Sequence, residues 1–179
     1  VEVFNERGYE ATSMDSLAER LGVTKSAIYH HVPSKGELLR LALDRALDAL
    51  FAVTEEPAAT SGPAIDRLEH VVRGSVRVLT AQLPFVTLLL RVRGNTEAER
   101  WALERRREFD RVVTDLVRLA EDEGSVRPDV DPAVTSRLLF GTVNSLAEWY
   151  RPGGELSADD LADAVVAITF AGLRTTPAA

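Results

Sequence analysis

Apolar residues in this chain recur at steps of three and four, and no convincing stretch alternates apolar with polar. That spacing lays them along one stripe of an α-helix, whereas a half-buried strand needs every second residue apolar. The expected fold class is all-α. At 179 residues with 45% apolar side chains, the chain is long enough for one large or two small globular domains. No run reaches the ~18 apolar residues of a membrane span. The nearest, residues 78–92, is broken by Gln82, Pro84 and Arg91, so no membrane partner is expected.

Glycine, proline and capping residues cut the helical pattern into pieces. The opening Val1-Glu2-Val3-Phe4 reads as the middle of a helix, with no secretory leader and with residues expected before Val1. This first helix stops at Gly8. Thr12 or Ser13 caps a second, with Met14, Leu17, Ala18 and Leu21 on one face and Gly22 at its end. Thr24 caps a short third helix to about His30. Pro33 and Ser34 then break the chain, and Ser34 caps a fourth helix carrying Leu38, Leu39, Ala42, Leu43 and Leu47. Residues 55–63 (EEPAATSGP) read as a linker. Beyond it, helices are expected over residues 64–82, stopping at Pro84, then up to Gly94-Asn95, 96–123, 132–150 and from Ser157 to about 173. Asp131 with Pro132, and Ser157 with Asp160, are the capping signals of the last two. A division into domains at 1–47 and 48–179 follows.

Charge and cysteine narrow the chemistry. With no cysteine there is neither a disulfide nor a thiolate, which suits a reducing, cytoplasmic setting. A net charge of −7 excludes a nonspecific polycation but not a local cationic site. Both lysines, Lys25 and Lys35, fall in the first fifty residues, and His30 and His31 lie between them. The same stretch carries Glu2, Glu6, Glu10, Asp15, Glu19 and Glu37, so it is not a basic block.

Residues 14–29, MDSLAERLGVTKSAIY, meet the physical demands of a helix-turn-helix. Ala18 is small where two helices cross. Gly22 sits in the turn, where a positive φ is cheap only for glycine. Leu17, Val23 and Ile28 are expected to close the small core. The second helix of such a unit enters the major groove. The longer stretch GYEATSMDSLAERLGVTKSAIYHHVPSKGELL resembles the DNA-binding signature of the TetR family of transcriptional regulators. The Gly-Tyr before helix two, the Ala-Ile-Tyr of helix three, and His31 with Lys35 all match.

The resemblance implies roles for nine residues. Thr24, Lys25 and Ser26 open the recognition helix, where lysine donates to guanine and Ser or Thr contacts several bases. Tyr29 is similar to the family tyrosine that bonds a phosphate. Lys35 and the start of its helix resemble a second phosphate clamp, and Thr12 and Ser13 do the same at helix two. His30 points toward DNA and His31 matches the usual histidine. The plain alternatives are that Tyr29 packs on the fourth helix, His31 is structural, and Thr12 and Ser13 are caps.

For the larger part, the resemblance implies an effector cavity among the helices at 64–82, 84–94, 96–123 and early 132–150. Its candidates are Leu68, Val72, Phe85, Leu88, Leu89, Arg105, Phe109, Val113, Leu139, Val143 and Asn144. Most read first as ordinary core. Asn144 needs a partner if buried. Arg105 and its neighbours suit either an acidic ligand or a solvated face. The last two helices are implied to pair with a second copy in a four-helix bundle. Leu161, Val165, Ile168 and Leu173 form an apolar stripe there, with Gly172 permitting close approach and Phe140 and Trp149 on the preceding helix. The ending NSLAEWYRPGGELSADDLADAVVAITFAGL resembles a subset of the family whose effectors are acyl-CoA thioesters. The implied activity is that of a homodimeric repressor, released from a palindromic double-stranded DNA operator by a small apolar or amphipathic effector.

Other classes fit poorly. A di-iron helical bundle needs Glu-x-x-His pairs, but the residues three before His30, His31 and His70 are Ala27, Ile28 and Arg67. No serine or cysteine triad and no glycine-rich phosphate loop is present. No catalytic residue, metal or cofactor is expected. A ligand-binding or scaffolding dimer without DNA binding is the remaining alternative.

Overall fold

A computed structural model describes residues 1–174. Among the described residues all regular structure is helical apart from one isolated bridge, Val126 to Arg174. None of these helices is long and apolar enough to cross a membrane. The residues form two compact units: residues 1–47 with 82–105, and residues 48–81 with 106–174. Residues 82–105 thus group with the first 47.

The first unit holds α1 (Glu2–Arg7), α2 (Met14–Leu21), α3 (Lys25–His31), the first part of α4 (Lys35–Glu55), α7 (Leu83–Arg91) and the start of α8 (Glu97–Asp122). The starts of α2, α3, α4 and α8 have backbone N–H groups satisfied by nearby side chains. Ser13 and Ser16 cap α2 reciprocally, backbone N–H to opposite hydroxyl, at 3.0 and 3.1 Å. Thr24 accepts from the Ala27 N–H at 3.2 Å. Ser34 accepts from the Glu37 N–H at 3.1 Å. At α8, Thr96 and Glu99 exchange the same pair of bonds. The core joins Val3, Phe4, Met14, Leu17, Ala18, Ile28, Leu39, Leu43 and Leu47 to Val86, Leu88 and Leu89 of α7. Asn5 of α1 ties the two ends of α7: its amide donates to the Pro84 carbonyl, and its own carbonyl accepts from Arg91. Pro84 lies in the first turn of α7, not at the end of the preceding helix. That first turn has no internal use for the missing N–H.

The second unit is built on α6 (Ala64–Ala81), which packs on α5 (Pro57–Thr60), α9 (Pro132–Trp149) and α10 (Ala158–Leu173). The expected linker at 55–63 thus contains one helical turn, α5, begun by Pro57. One face of α6 buries Leu68, Val71, Val72, Val76 and Leu79, while its polar face engages α10 through Arg73 to Asp163 and Arg77 to Asp159. Asp131 and Ser157 cap α9 and α10 as expected. Phe109 of α8 stands edge-on between Phe51 and Phe140, at centroid distances of 5.8 and 5.1 Å.

Gly74 has a packing reason. A Cβ there would lie 2.3 Å from Cγ1 of buried Val53 and 3.0 Å from its Cγ2. Gly74→Ala should therefore lower the unfolding free energy by about 1–3 kcal/mol through overpacking. Chemical denaturation checks this. Adding Val53→Ala, which removes both clashing methyls, should recover part of the loss. A Gly74→Ala protein as stable as the parent would refute the close approach.

Candidate DNA interface

Helix α2 ends on Gly22 in the left-handed region, φ 66° and ψ 29°. Its N–H reaches the Glu19 carbonyl at 3.1 Å, and the Val23 N–H reaches Ala18 at 3.1 Å. This double closure stops α2 within one residue and lets Thr24 start α3 on a new axis. An L side chain at Gly22 would be strained by its backbone alone, by about 1–2 kcal/mol.

The turn holds α3 outward. Of its seven residues only Ile28 is buried; Lys25, Ser26, Ala27, Tyr29, His30 and His31 are all exposed. Thr24 is exposed beside them. The two histidine rings stand edge to face at 5.3 Å. Two expectations for the small core change here. Leu21 is 66% exposed and Val23 is 45% exposed, so Leu17, Ala18 and Ile28 close that core without them. Helical spacing identifies a stripe but not which flank of it a neighbour covers.

The other expected DNA contacts divide. Ser13 is exposed at the start of α2. Thr12 is 1% exposed, and its hydroxyl donates to the Gly8 carbonyl at 2.7 Å, so its side chain closes the loop instead of facing a duplex. Lys35 is half-buried. Its ammonium donates to the carbonyls of Tyr9 at 2.8 Å and Thr12 at 2.9 Å, and lies 4.1 Å from the Tyr9 ring centroid. It straps the start of α4 to the loop before α2. Burial, followed by the charges of Glu10 and Glu99, pushes the Tyr9 phenol above its ordinary range. Tyr9 and its strap to Lys35 were missed in the sequence, since two backbone carbonyls leave no trace in it.

The effector candidates fall in different units. Phe85, Leu88, Leu89 and Arg105 belong to the first; Leu68, Val72, Phe109, Val113, Leu139, Val143 and Asn144 belong to the second. Phe85 lines a mainly apolar cavity of about 590 Å³, with Phe4, Leu17, Ile28 and Leu41 among the other walls. Its ring lies 4.4 Å from the Arg45 guanidinium carbon. In the second unit the six apolar candidates are buried and tightly packed, while Asn144 is half-buried. A concavity of about 270 Å³ in that unit is lined by Thr54, Arg67, Val112, Asp115 and Leu119 among others, and by none of the candidates. That is below the ~300 Å³ at which ligand pockets usually begin. Among the described residues no group of three or more His, Asp or Glu is placed to hold a metal.

The expected stripe on the last two helices is also split. Phe140, Leu161, Val165 and Leu173 are buried by their own chain, so the monomer already covers them. Trp149, Ile168 and Gly172 are exposed. With them stand Val134 and Leu138 of α9, not singled out in the sequence, and Leu138 is 68% exposed. The signal was the spacing 134, 138, 141, which lies opposite the buried 139, 143 and 146.

A capped α2, a glycine turn and an outward-facing α3 define a helix-turn-helix DNA-binding regulator. Comparison with known proteins agrees along the chain. The family described as bacterial regulatory proteins, tetR family, matches residues 1–42, and the tetracyclin repressor-like C-terminal domain matches residues 61–173. The chain belongs to the TetR family of transcriptional regulators. It is 27% identical to the transcriptional repressor KstR2 of Mycobacterium tuberculosis, over 96% of this chain and 87% of that one. The solved ketosteroid regulator KstR2 of the same species superposes with a TM-score of 0.88 at 26% identity, covering 98% and 91%. A TetR-family regulator of Streptomyces coelicolor A3 gives 0.91 at 55% identity, covering 97% and 88%. AibR, solved with isovaleryl coenzyme A and operator DNA, gives 0.79 at 25% identity, covering 94% and 92%.

Lys35→Met should test the strap. It keeps the aliphatic stem but removes two hydrogen bonds from a charged donor, at a cost of about 1.5 kcal/mol. Urea denaturation should show that loss. Unchanged stability would mean that water replaces the strap.

Proposed function

We propose that this regulator is a cytoplasmic homodimeric repressor that reads a palindromic operator with α3 and leaves it when a small apolar or amphipathic effector binds the second unit. The observation that carries the DNA reading is α3 itself, whose seven residues are exposed apart from Ile28. Lys25, Ser26 and Thr24 read base edges. Ser13 with the α2 N-terminus, Tyr29, His30 and His31 contact phosphates, and Lys35 contributes charge and the loop it holds.

A second copy is favoured by the exposed face of α9 and α10. Val134, Leu138, Trp149 and Ile168 present apolar surface, and Ile168 is 75% exposed. A Cβ added at Gly141 or Gly172 would meet nothing within 4 Å, so a partner helix has room to approach. Two α3 helices must then sit about 34–36 Å apart to enter successive major grooves. Ile168→Glu and Leu138→Glu should each shift the protein toward monomer in sedimentation at fixed concentration, with helix content unchanged. Dimers of unaltered affinity would discard this face.

The effector is proposed to enter among Leu68, Val72, Phe109, Val113, Leu139, Val143 and Asn144. These residues are packed in the form described, so binding must open them. An effector can shift the two states only by its difference in affinity for them, and a tenfold loss of operator affinity needs ~1.4 kcal/mol of coupling. An acyl-CoA thioester is the favoured class, supported by the resemblance of residues 144–173 and by the isovaleryl coenzyme A held by AibR.

Two measurements decide between these readings. Selection from random duplexes at low ionic strength should yield a palindrome, and Lys25→Ala should change the preferred base at one position per half-site. Indifference to every duplex would leave a ligand-binding dimer without DNA as the surviving reading. A thermal-shift series of acyl-CoAs, fatty acids and sterol-like ligands should show one class adding about 2.7 kcal/mol at 100 Kd. No response to any acyl-CoA would retire that class.

A further inference from the structure

Three cations of the first unit, Arg20, Lys25 and Lys35, are engaged within the chain. Arg20 faces Glu6 at 3.2 Å and Glu2 at 3.8 Å. Lys35 is held by two carbonyls. Lys25, the first residue of α3, donates from Nζ to Asp15 Oδ2 of α2 at 2.8 Å. Both partners of this pair are largely exposed. An exposed ion pair contributes little to folding, so stability gives no reason for it. Its consequence lies in what the Lys25 ammonium can reach. The hydrogen bond to Asp15, then the carboxylate charge, hold the Lys25 pKa above its ordinary value, so the ammonium stays charged and directed at α2.

We propose that Asp15 is a specificity-determining residue, which keeps the Lys25 ammonium off the phosphates of arbitrary duplexes while leaving it free to meet a guanine edge. A phosphate oxygen offers Lys25 one anionic acceptor in exchange for another. Guanine offers N7 and O6 together, and an ammonium has three N–H donors, so Lys25 can give one to Asp15 and two to the base. Leaving Asp15 is then a cost of phosphate contact that guanine contact does not carry. This lowers nonspecific binding, the part of affinity that phosphate contacts dominate. The inference rests on the reading of α3 as the DNA-contacting helix.

The test compares Asp15→Asn with the parent protein on two duplexes, one selected by the parent from a random library and one scrambled, across a salt titration. Asp15→Asn should bind the scrambled duplex about eightfold tighter near ~0.1 M salt and steepen the log–log salt slope by about one, as one added phosphate contact does. Affinity for the selected duplex should change far less, so the ratio falls. Asp15→Glu should keep the parent ratio. Asp15→Asn combined with Lys25→Ala should lose the gain. A parental slope in Asp15→Asn would overturn the proposal, and so would a gain that survives without Lys25, since that gain would be plain repulsion. If the parent binds no duplex at all, the reading of α3 fails and takes this inference with it. Binding by the parent with no change in Asp15→Asn sinks this inference alone.

Discussion

The DNA-reading part of this protein depends on how a helix too short to stand alone is held in place. Two turns of isolated helix do not persist in water, and α3 has seven residues. It lacks an apolar stripe, because Ile28 is its single buried side chain. Three devices supply what propensity does not. Gly22 ends α2 in a left-handed closure, Thr24 satisfies the Ala27 N–H, and Ile28 plugs the gap beside Leu17 and Ala18. Each acts at an end or on one side, so the remaining surface of α3 carries no structural duty.

The same economy governs charge. An acidic protein, net −7, must bind a polyanion through a local field. Arg20 and Lys25 are paired with carboxylates and Lys35 with two carbonyls. On the proposed reading this weakens attraction to DNA in general, and affinity comes from contacts that a suitable duplex supplies, chiefly at Lys25. Low indiscriminate affinity matters because a genome offers about 10⁶–10⁹ competing sites.

Much of this was legible in residues 8–39, and for a physical reason. Caps and turn glycines act on the backbone within three or four residues of themselves, so Ser13, Gly22, Thr24, Ser34, Asp131 and Ser157 announce their roles locally. What depends on a distant neighbour was not legible. Leu21 and Val23 sit on plausible apolar positions, yet both stay exposed. Leu161, Val165 and Leu173 look like an interface stripe, yet their own chain buries them. Thr12 and Lys35 match a phosphate-contact pattern, while the loop between α1 and α2 holds both. Residues 82–105 follow the second unit's first helices in sequence but group with the first unit, because α7 packs on α1.

The magnitude of recognition argues for the two-copy arrangement. On the proposed reading, one α3 offers Thr24, Lys25 and Ser26 to base edges, and of these Lys25 alone can make the two-acceptor contact that discriminates by about 1–3 kcal/mol. Specific regulators separate their sites from random DNA by about 4–10 kcal/mol. A single seven-residue helix with one such contact falls short of that range. Two helices on a common two-fold axis double the discrimination without adding a residue to the chain. They also make recognition depend on the distance between the pair, a quantity that an effector can change without touching any base contact. In the proposed dimer, the exposed apolar face of α9 and α10 and the restrained Lys25 belong to one design: each half-site is weak, and only two held at the right spacing suffice.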